Sequence, residues 1–491
     1  MLGNAQCRNS LAGMWATLKS LLPSRADYAA LPRSWKSDLL AGLTVGIVAL
    51  PLALAFGVSS GVGAEAGLIT AVVAGFIAAV FGGSNVQVSG PTGAMVVVLA
   101  PIVATHGAAS VILVGLMAGV IVLLLGLFRL GRSVSFIPWP VIEGFTLGIA
   151  VIIFVQQIPS AVGSPDFAES TNAVVSGIRA VLASDANLAL WSLAAVLIVG
   201  LIMVVTPKVL PAVPGSIVGI IVITVVAELT GSPLVRIGEL PNSLGLPEVP
   251  DFAGVNVGEL VVPALAVAAL AAIESLLSAR VAASMANTGV FNPDRELVGQ
   301  GLASVGSAFF GGMPATGAIA RTAVNVRSGA KTRMAAIVHA AVLLGVVYLA
   351  TGPVSRIPLA ALAGVLMVTA VRMVPSRAAW KILRSTKHDA LIFIATAVIT
   401  VALDLIEAVV VGIIVTVLFS IRALIMRGKV TQVDLPGPAA AGDDRIALFR
   451  IDGALYFGVA DKIHEQVVSH PDVSVVIIQL SGVQFLDATG A

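Results

Sequence analysis

Apolar residues come in runs long enough to span a bilayer, divided by short polar or Gly/Pro-containing breaks, and their spacing predicts fourteen membrane helices. In the first half they fall near 39–59, 65–82, 92–104, 109–130, 140–159, 188–206 and 213–231. The second half gives 260–282, 297–311, 317–328, 334–351, 357–373, 388–404 and 406–425. The stretch 168–184 is mixed in polarity and reads as an amphipathic helix outside the bilayer. Runs of this length exclude a β-barrel, whose strands read as short alternating segments. After Arg427 the pattern changes to a Gly/Pro/Ala linker, 428–445, then to strands at 446–451 and 473–480 with a helix near 459–469 between them. The expected fold class is therefore an all-α polytopic membrane domain, residues 39–427, behind an N-terminal segment (1–38) and ahead of a small α/β module (446–491) that reads as partial.

Two of the predicted helices are short and open at the same kind of break. Phe81-Gly82-Gly83 precedes Pro91-Thr92-Gly93-Ala94, and Phe310-Gly311-Gly312 precedes Ala315-Thr316-Gly317-Ala318. The shared order of both fragments before a short apolar helix marks an internal repeat, about 39–231 and 260–427. Seven helices per copy is an odd number, so the second copy enters the membrane from the opposite side and the repeats are inverted.

Composition agrees with a lipid-solvated chain: 58% of residues are hydrophobic and 11% charged, against about 25% charged in soluble domains. The 49 glycines and 25 prolines fit helices broken around a cavity rather than simple anchors. One cysteine, Cys7, excludes an intrachain disulfide and a cysteine-based metal cage. No histidine spacing suits a metal, no Walker A motif is present, and no basic cluster with interleaved aromatics suggests nucleic acid. No cofactor is expected. With the N-terminus inside, Arg129, Lys208, Arg295, Arg327, Lys331, Arg333, Arg372, Arg377 and Lys381 fall in cytoplasmic loops, whereas Glu65, Asp166, Asp185, Glu239 and Glu248 fall outside. This places both the N-terminus and the C-terminal module in the cytoplasm of an inner-membrane protein.

Several stretches carry a resemblance to a known family. Asp38-Leu39-Leu40-Ala41-Gly42-Leu43-Thr44-Val45-Gly46, Ser89-Gly90-Pro91-Thr92-Gly93, Ala272-Ile273-Glu274-Ser275-Leu276-Leu277-Ser278-Ala279, Arg295-Glu296-Leu297-Val298-Gly299-Gln300-Gly301 and Ala320-Arg321-Thr322-Ala323-Val324-Asn325 resemble the sulfate permease family, also called solute carrier family 26. The tail Leu480-Ser481-Gly482-Val483-Gln484-Phe485-Leu486-Asp487-Ala488-Thr489-Gly490 is similar to a STAS domain. The resemblance implies a uracil-permease-type fold of seven plus seven inverted helices, a core domain moving against a gate domain, a homodimer, and transport of a small inorganic or organic anion.

The chemistry needed to hold a dehydrated anion near the midplane is positive potential, which two facing helix N-termini supply. The backbone at Thr92, Gly93 and Ala94 and at Thr316, Gly317, Ala318, Ile319 and Ala320 is expected to present it, with small side chains allowing close approach. The bland alternative is that these residues only ease helix packing. Arg321, in the second short helix, either attracts substrate or pairs with a carboxylate, and the resemblance implies the former. Glu274 is an intramembrane carboxylate with Ser275 and Ser278 within one turn, a site for a coupling H+ or Na+ or else a structural hydrogen bond. Phe56 matches an aromatic position beside the pocket. Ala49 and Leu52 stand where relatives can carry glutamines, so one wall is apolar, and bicarbonate or a carboxylate fits at least as well as sulfate. Thr489 occupies the place of a phosphorylated residue in STAS antagonists, or is simply a helix N-cap.

The expected function is secondary active transport of a small anion by alternating access. An uncoupled anion channel, an exchanger of the same fold and a nucleobase permease remain alternatives. An enzyme is not expected, since no nucleophile, base and orienting group occur together.

Overall fold

The computed structural model describes residues 21–131, 139–164, 173–210, 213–240, 242–249, 256–286, 289, 291–374, 376–402, 429–435, 443–455 and 473–486. Two compact units emerge, Met1–Val409 and Val410–Ala491. The first opens with a 3-10 turn at Arg25–Tyr28, followed by Leu31–Ser59 (α1), Ala64–Phe81 (α2), the two-residue strand Ser89–Gly90 (β1), Gly93–His106 (α3) and Ala108–Leu127 (α4). Next come Trp139–Gln156 (α5), Ile158–Ala161 (α6), Ala173–Ala183 (α7), Ala186–Val209 (α8) and Gly215–Thr230 (α9). The second copy runs through Val257–Met285 (α10), Pro293–Phe309 (α11), Thr316–Gly317 (β2), Ile319–Arg327 (α12), Met334–Leu349 (α13), Thr351–Ser355 (α14), Leu359–Met373 (α15), Ser376–Leu383 (α16) and Lys387–Ala402 (α17).

The first thirteen predicted helices each have a counterpart here, and the amphipathic stretch becomes α7. The fourteenth, 406–425, lies outside the described residues. Seven spans among the described residues are long and apolar enough to cross a membrane, including α1, α2, α4, α8 and α10. Local signals account for the ends. Asn292 caps α11 by accepting from the Asp294 and Arg295 amides, with Pro293 in the first turn, where its missing N–H costs nothing. Gly231, left-handed at φ 60°, closes α9.

The helices sort into two bundles. In the first, α11 packs on α4 and α2, α13 on α1 and α2, and α12 on α10 and α1. These are the first four helices of each copy, α1–α4 and α10–α13. In the second, α15 packs on α8 and α5, α9 on α8, and α17 on α5. Helix α8 turns Leu190, Leu197 and Leu201 outward, which suits lipid rather than water.

The two short strands cross where the first halves of the two copies meet. They pair antiparallel, Ser89 with Gly317 and Gly90 with Thr316. Continued by one residue, this register sets Pro91 opposite Ala315, the residues that coincide when the two Thr-Gly-Ala motifs are superposed. The local two-fold axis of an antiparallel pair thus passes through equivalent residues of the two copies, as inverted repeats require. The prediction of a helix over 317–328 is corrected at its start: Gly317 belongs to β2 and the helix begins at Ile319, because the chain is held extended by its pairing with Ser89.

In the second unit, Lys429–Val433 (β3), Ile446–Leu455 (β4) and Val475–Leu486 (β5) form one sheet in the order β3-β4-β5, the first pair antiparallel and the second parallel. Ala447 and Phe449 are buried on one face of β4. The region expected to be only a linker holds β3, whose Lys-Val-Thr-Gln-Val alternation is too short to stand out beside glycine and proline. The expected helix 459–469 lies outside the described residues, and so does Thr489.

Candidate anion and coupling site

Pro91 and Pro314 keep both chains from continuing as helix into the crossing, and Gly90 and Gly317 let the two backbones and their neighbours close up. Gly90 has φ 150°, and a Cβ there would lie 2.7 Å from Arg321 Nη1. A Cβ on Gly317 would lie 1.7 Å from Gln87 Nε2 and 3.2 Å from Ser275 Cα. The strand pair is tightened by the Ala318 amide donating to the Val88 carbonyl at 2.9 Å.

From this crossing α3 and α12 run away with their N-termini facing inward. Neither cap residue, Thr92 nor Ala318, spends a side chain on the first-turn amides. Those N–H groups are the orphan donors of a helix start and carry the positive end of its dipole.

The Thr92 hydroxyl instead meets Glu274 Oε2 at 2.9 Å, and the Thr316 hydroxyl meets the same oxygen at 2.8 Å. The two hydroxyls are 3.0 Å apart. Three oxygens, one from the first copy and two from the second, therefore form a closed triangle. Two hydroxyl protons fill two of its edges, and the third is left with facing lone pairs. A proton on Glu274, or a hard cation drawing all three oxygens, completes it.

Ser275 and Ser278 face elsewhere. Ser275 Oγ accepts from the Gly317 amide at 3.1 Å, and Ser278 Oγ lies 3.3 Å from Thr322 Oγ1, which itself accepts from the Val88 amide. They fasten α10 to β2 and α12, while the hydroxyls reaching Glu274 come from the threonines.

Arg321 sits in the first turn of α12 and is 2% exposed. Its Nη2 donates to the Pro91 carbonyl, and its Nη1 has no partner. Among the described residues no carboxylate comes within ion-pair distance of it. A buried guanidinium left with an open donor is costly unless something fills the place.

Arg321 and Ala320 line a cavity of about 650 Å³ between α1, α12, α15 and the α8–α9 region. Val48 and Leu52 give it an apolar wall. The other half of the expected pocket is packed. Phe56, Thr92, Gly93 and Ala94 are buried, with Phe56 and Ile153 closing over Gly93. The α12 side of the site is thus open to the cavity, and the α3 side is covered.

With that geometry in place, comparison with known proteins decides the family. Residues 35–396 match the sulfate permease family, and residues 437–491 match the STAS domain. The chain belongs to the sulfate permease family. It is 36% identical to "Putative sulfate transporter YvdB" of Bacillus subtilis, covering 93% of this chain and 87% of that one. It is 32% identical to "Bicarbonate transporter BicA" of a Picosynechococcus species, covering 94% and 85%. Among solved structures, the transmembrane domain of a cyanobacterial BicA superposes with a TM-score of 0.69 at 32% identity, over 77% of this chain and 98% of that one. Murine Slc26a9 in the inward-facing state gives 0.82 at 17% identity, over 97% and 85%, and shares the fold. This permease is accordingly an anion transporter with inverted repeats and a STAS domain, and not an enzyme.

Residues assigned no role at the site from sequence also hold it. Gln87 Nε2 donates to the Ser275 carbonyl, and Asn325 Nδ2 to the Val86 carbonyl, so the stretch leading into β1 is pinned twice. Glu296 Oε2 accepts from the Gly83 and Ser84 amides, and Gln300 bridges Glu296 to Ser89. Asp38 gathers the Lys331 and Thr332 amides and the Ser34 and Thr332 hydroxyls, fixing α1 to the turn after α12. Arg295, read as a loop cation, is buried and makes two bonds to Asp27 at 3.0 and 2.8 Å. Burial pushes the Asp27 carboxyl up, but the Arg295 bonds, the Ser24 amide and the charge of Arg333 outweigh it and leave it below its usual value. A signal for these was present only in part: Asp38, Glu296 and Gln300 are polar residues within otherwise apolar or glycine-rich motifs.

Proposed function

We propose that this permease is a secondary active transporter that carries a small anion by alternating access, with Glu274 as the site of a coupling H+ or Na+. The observation that carries the reading is the oxygen triangle of Glu274, Thr92 and Thr316. It joins the carboxylate to both helix starts, a few residues from the open donor of Arg321. An anion at Arg321 and a cation or proton in the triangle neutralise each other in low dielectric, where either alone is disfavoured. Co-occupancy is therefore the cheapest loaded state, which is the thermodynamic content of symport.

The anion is of the bicarbonate, carboxylate or sulfate class. The names of YvdB and BicA support sulfate and bicarbonate, and the apolar wall at Val48 and Leu52 favours a weakly hydrated ion. Assembly as a homodimer in a bacterial-type inner membrane, with the N-terminus and STAS domain cytoplasmic, belongs to the same proposal.

Uptake of radiolabelled bicarbonate and sulfate into proteoliposomes under imposed proton or sodium gradients tests it. Glu274→Gln is expected to abolish gradient-driven accumulation while leaving anion exchange between equal concentrations. Accumulation that persists in this variant removes Glu274 from coupling, and currents far above carrier turnover in the wild type would replace the carrier with a channel.

A further inference from the structure

The cavity in front of Arg321 is larger than a small anion needs. Its volume is about 650 Å³, whereas an ion of four or five heavy atoms fills on the order of 100 Å³, a few waters' worth. Two more arginines line it. Arg327 ends α12, on the first bundle, and Arg372 lies in the last turn of α15, on the second. Neither takes part in the triangle or in the crossing. Arg372 is steadied by donating Nη2 to the Met203 carbonyl at 2.6 Å, which turns one edge of its guanidinium away and leaves other donors for a ligand.

The start of α9 lines the same space through Gly215 and Ser216. Its cap, Pro214, has no side chain to spend on the first-turn amides, so a 16-residue helix presents its positive end there. Arg321 lines the cavity as well, but its unpartnered Nη1 is shut away beside Gly90, so a ligand in the cavity is held by Arg327, Arg372 and the α9 start. Among the described residues no carboxylate lines the cavity. Arg321 already feels the charge of Glu274, but Arg327, Arg372 and the helix start have no carboxylate beside them in the cavity lining, and together they exceed what one small anion neutralises.

We propose that this cavity also binds polyvalent phosphate anions, of the size of tripolyphosphate or a nucleoside triphosphate, held between Arg327 on one bundle and Arg372 with the α9 start on the other. Planar guanidinium groups take phosphate oxygens two at a time, and a chain of phosphates can reach from one arginine to the next. Such an anion ties together the two bundles that alternating access must move apart. It also blocks the way to Arg321, so it arrests transport from this side. The binding stands independently of the transport reading, and the arrest rests on it.

The test is titration calorimetry of sodium tripolyphosphate into the full-length protein in lipid nanodiscs. Arg327→Ala and Arg372→Ala are each expected to weaken binding about 10-fold, the loss of one charge-assisted bond, with unfolding temperature unchanged. Lys381→Ala, a basic residue outside the cavity, is expected to leave it within about twofold, as a rim charge does. Equal affinities in all three variants overturn the proposal. Nanodiscs of zwitterionic and anionic lipid separate the sources: equal affinity in both assigns the site to a soluble anion, and loss in the anionic discs assigns it to a lipid phosphate and overturns the soluble one. In vesicles, bicarbonate or sulfate uptake that continues at tripolyphosphate concentrations saturating the site overturns the arrest. Vesicles that take up no anion at all sink the transport reading and leave the binding result standing.

Discussion

At the crossing, Met95, Val96, Val97 and Val98 of α3 stand where α12 has Ile319, Ala320, Arg321 and Thr322, once the two Thr-Gly-Ala segments are superposed. Each copy brings a short strand, an uncapped helix start and a threonine to Glu274, although α12 begins two residues later than α3 in this superposition. The side chains differ. The first turn of α3 is buried among apolar neighbours, while α12 turns Ala320 to the cavity and carries the cation. Duplication supplied two converging helix dipoles and two hydroxyls, and only one copy opens to the cavity and carries a charge. Symmetry thus resides in the frame, and the buried charge in its violation.

Moving the cation across the axis is the severest way to break this comparison. Val97→Arg places a charge in packed surroundings with no partner and is expected to destabilise by about 3–5 kcal/mol, read as a drop in unfolding temperature by tryptophan fluorescence. Arg321→Val should leave the fold intact and weaken apparent anion affinity about 10- to 100-fold. Uptake restored by combining the two substitutions would show the copies to be interchangeable.

The two glycines sharpen the same contrast. Gly317→Ala meets buried Gln87 and the α10 backbone and is expected to cost about 2 kcal/mol. For Gly93→Ala the nearest atom is the tip of Ile153, at 2.3 Å from the added Cβ, and the cost should stay under about 1 kcal/mol because a side-chain end can move. Similar unfolding temperatures for the two variants would argue that both helix starts are equally loose.

Thr92→Val and Thr316→Val test the half of the comparison that predicts sameness. Each removes one hydroxyl from Glu274, and each should weaken cation- or proton-driven accumulation by a similar factor, about 10-fold. A tenfold disparity between them would mean that the carboxylate leans on one copy alone.

The smallest effect lies at the N-terminal segment, outside the repeats. Because the folded-state value of Asp27 is depressed, its pairing with Arg295 contributes fully above the unfolded carboxyl value of about 3.9 and fades as pH falls through the lower folded value. Hydrogen exchange at Arg25–Tyr28 should therefore stay slow at neutral pH and rise only in strong acid. Asp27→Asn should bring fast exchange at every pH, at a cost of about 1 kcal/mol; slow exchange in this variant would show that the segment is held by other contacts.

Hydropathy alone made the order of the helices legible, because lipid demands long apolar runs with few exceptions. The Thr-Gly-Ala duplication marked the crossing for the same reason: irregular backbone at that depth needs glycine and proline. The pairing of β1 with β2 was not legible, since two residues carry no periodicity and their partners lie more than 200 positions away. For Glu274 the position was readable and the partners were not. Ser275 and Ser278 were nearer in sequence, but helix geometry turned them toward Gly317 and Thr322. Arg295 shows the limit of charge counting, because a loop arginine and a buried one look alike until Asp27 is folded against it. The strand at Lys429–Val433 was missed because alternation over so few residues is common by chance.

The register of the two strands also limits how this chain can vary over evolutionary time. A residue inserted between Val86 and Pro91, or between Met313 and Thr316, would slide one strand past the other by a single step and turn alternate side chains to the opposite face. Thr92 or Thr316 would then point away from Glu274, and the orphan amides would no longer converge. Substitutions can accumulate on either copy separately, as Val97 and Arg321 illustrate. Changes of length there are viable only as matched pairs, so these two short segments should be the least permissive places in the 491-residue chain for an insertion or deletion to become fixed.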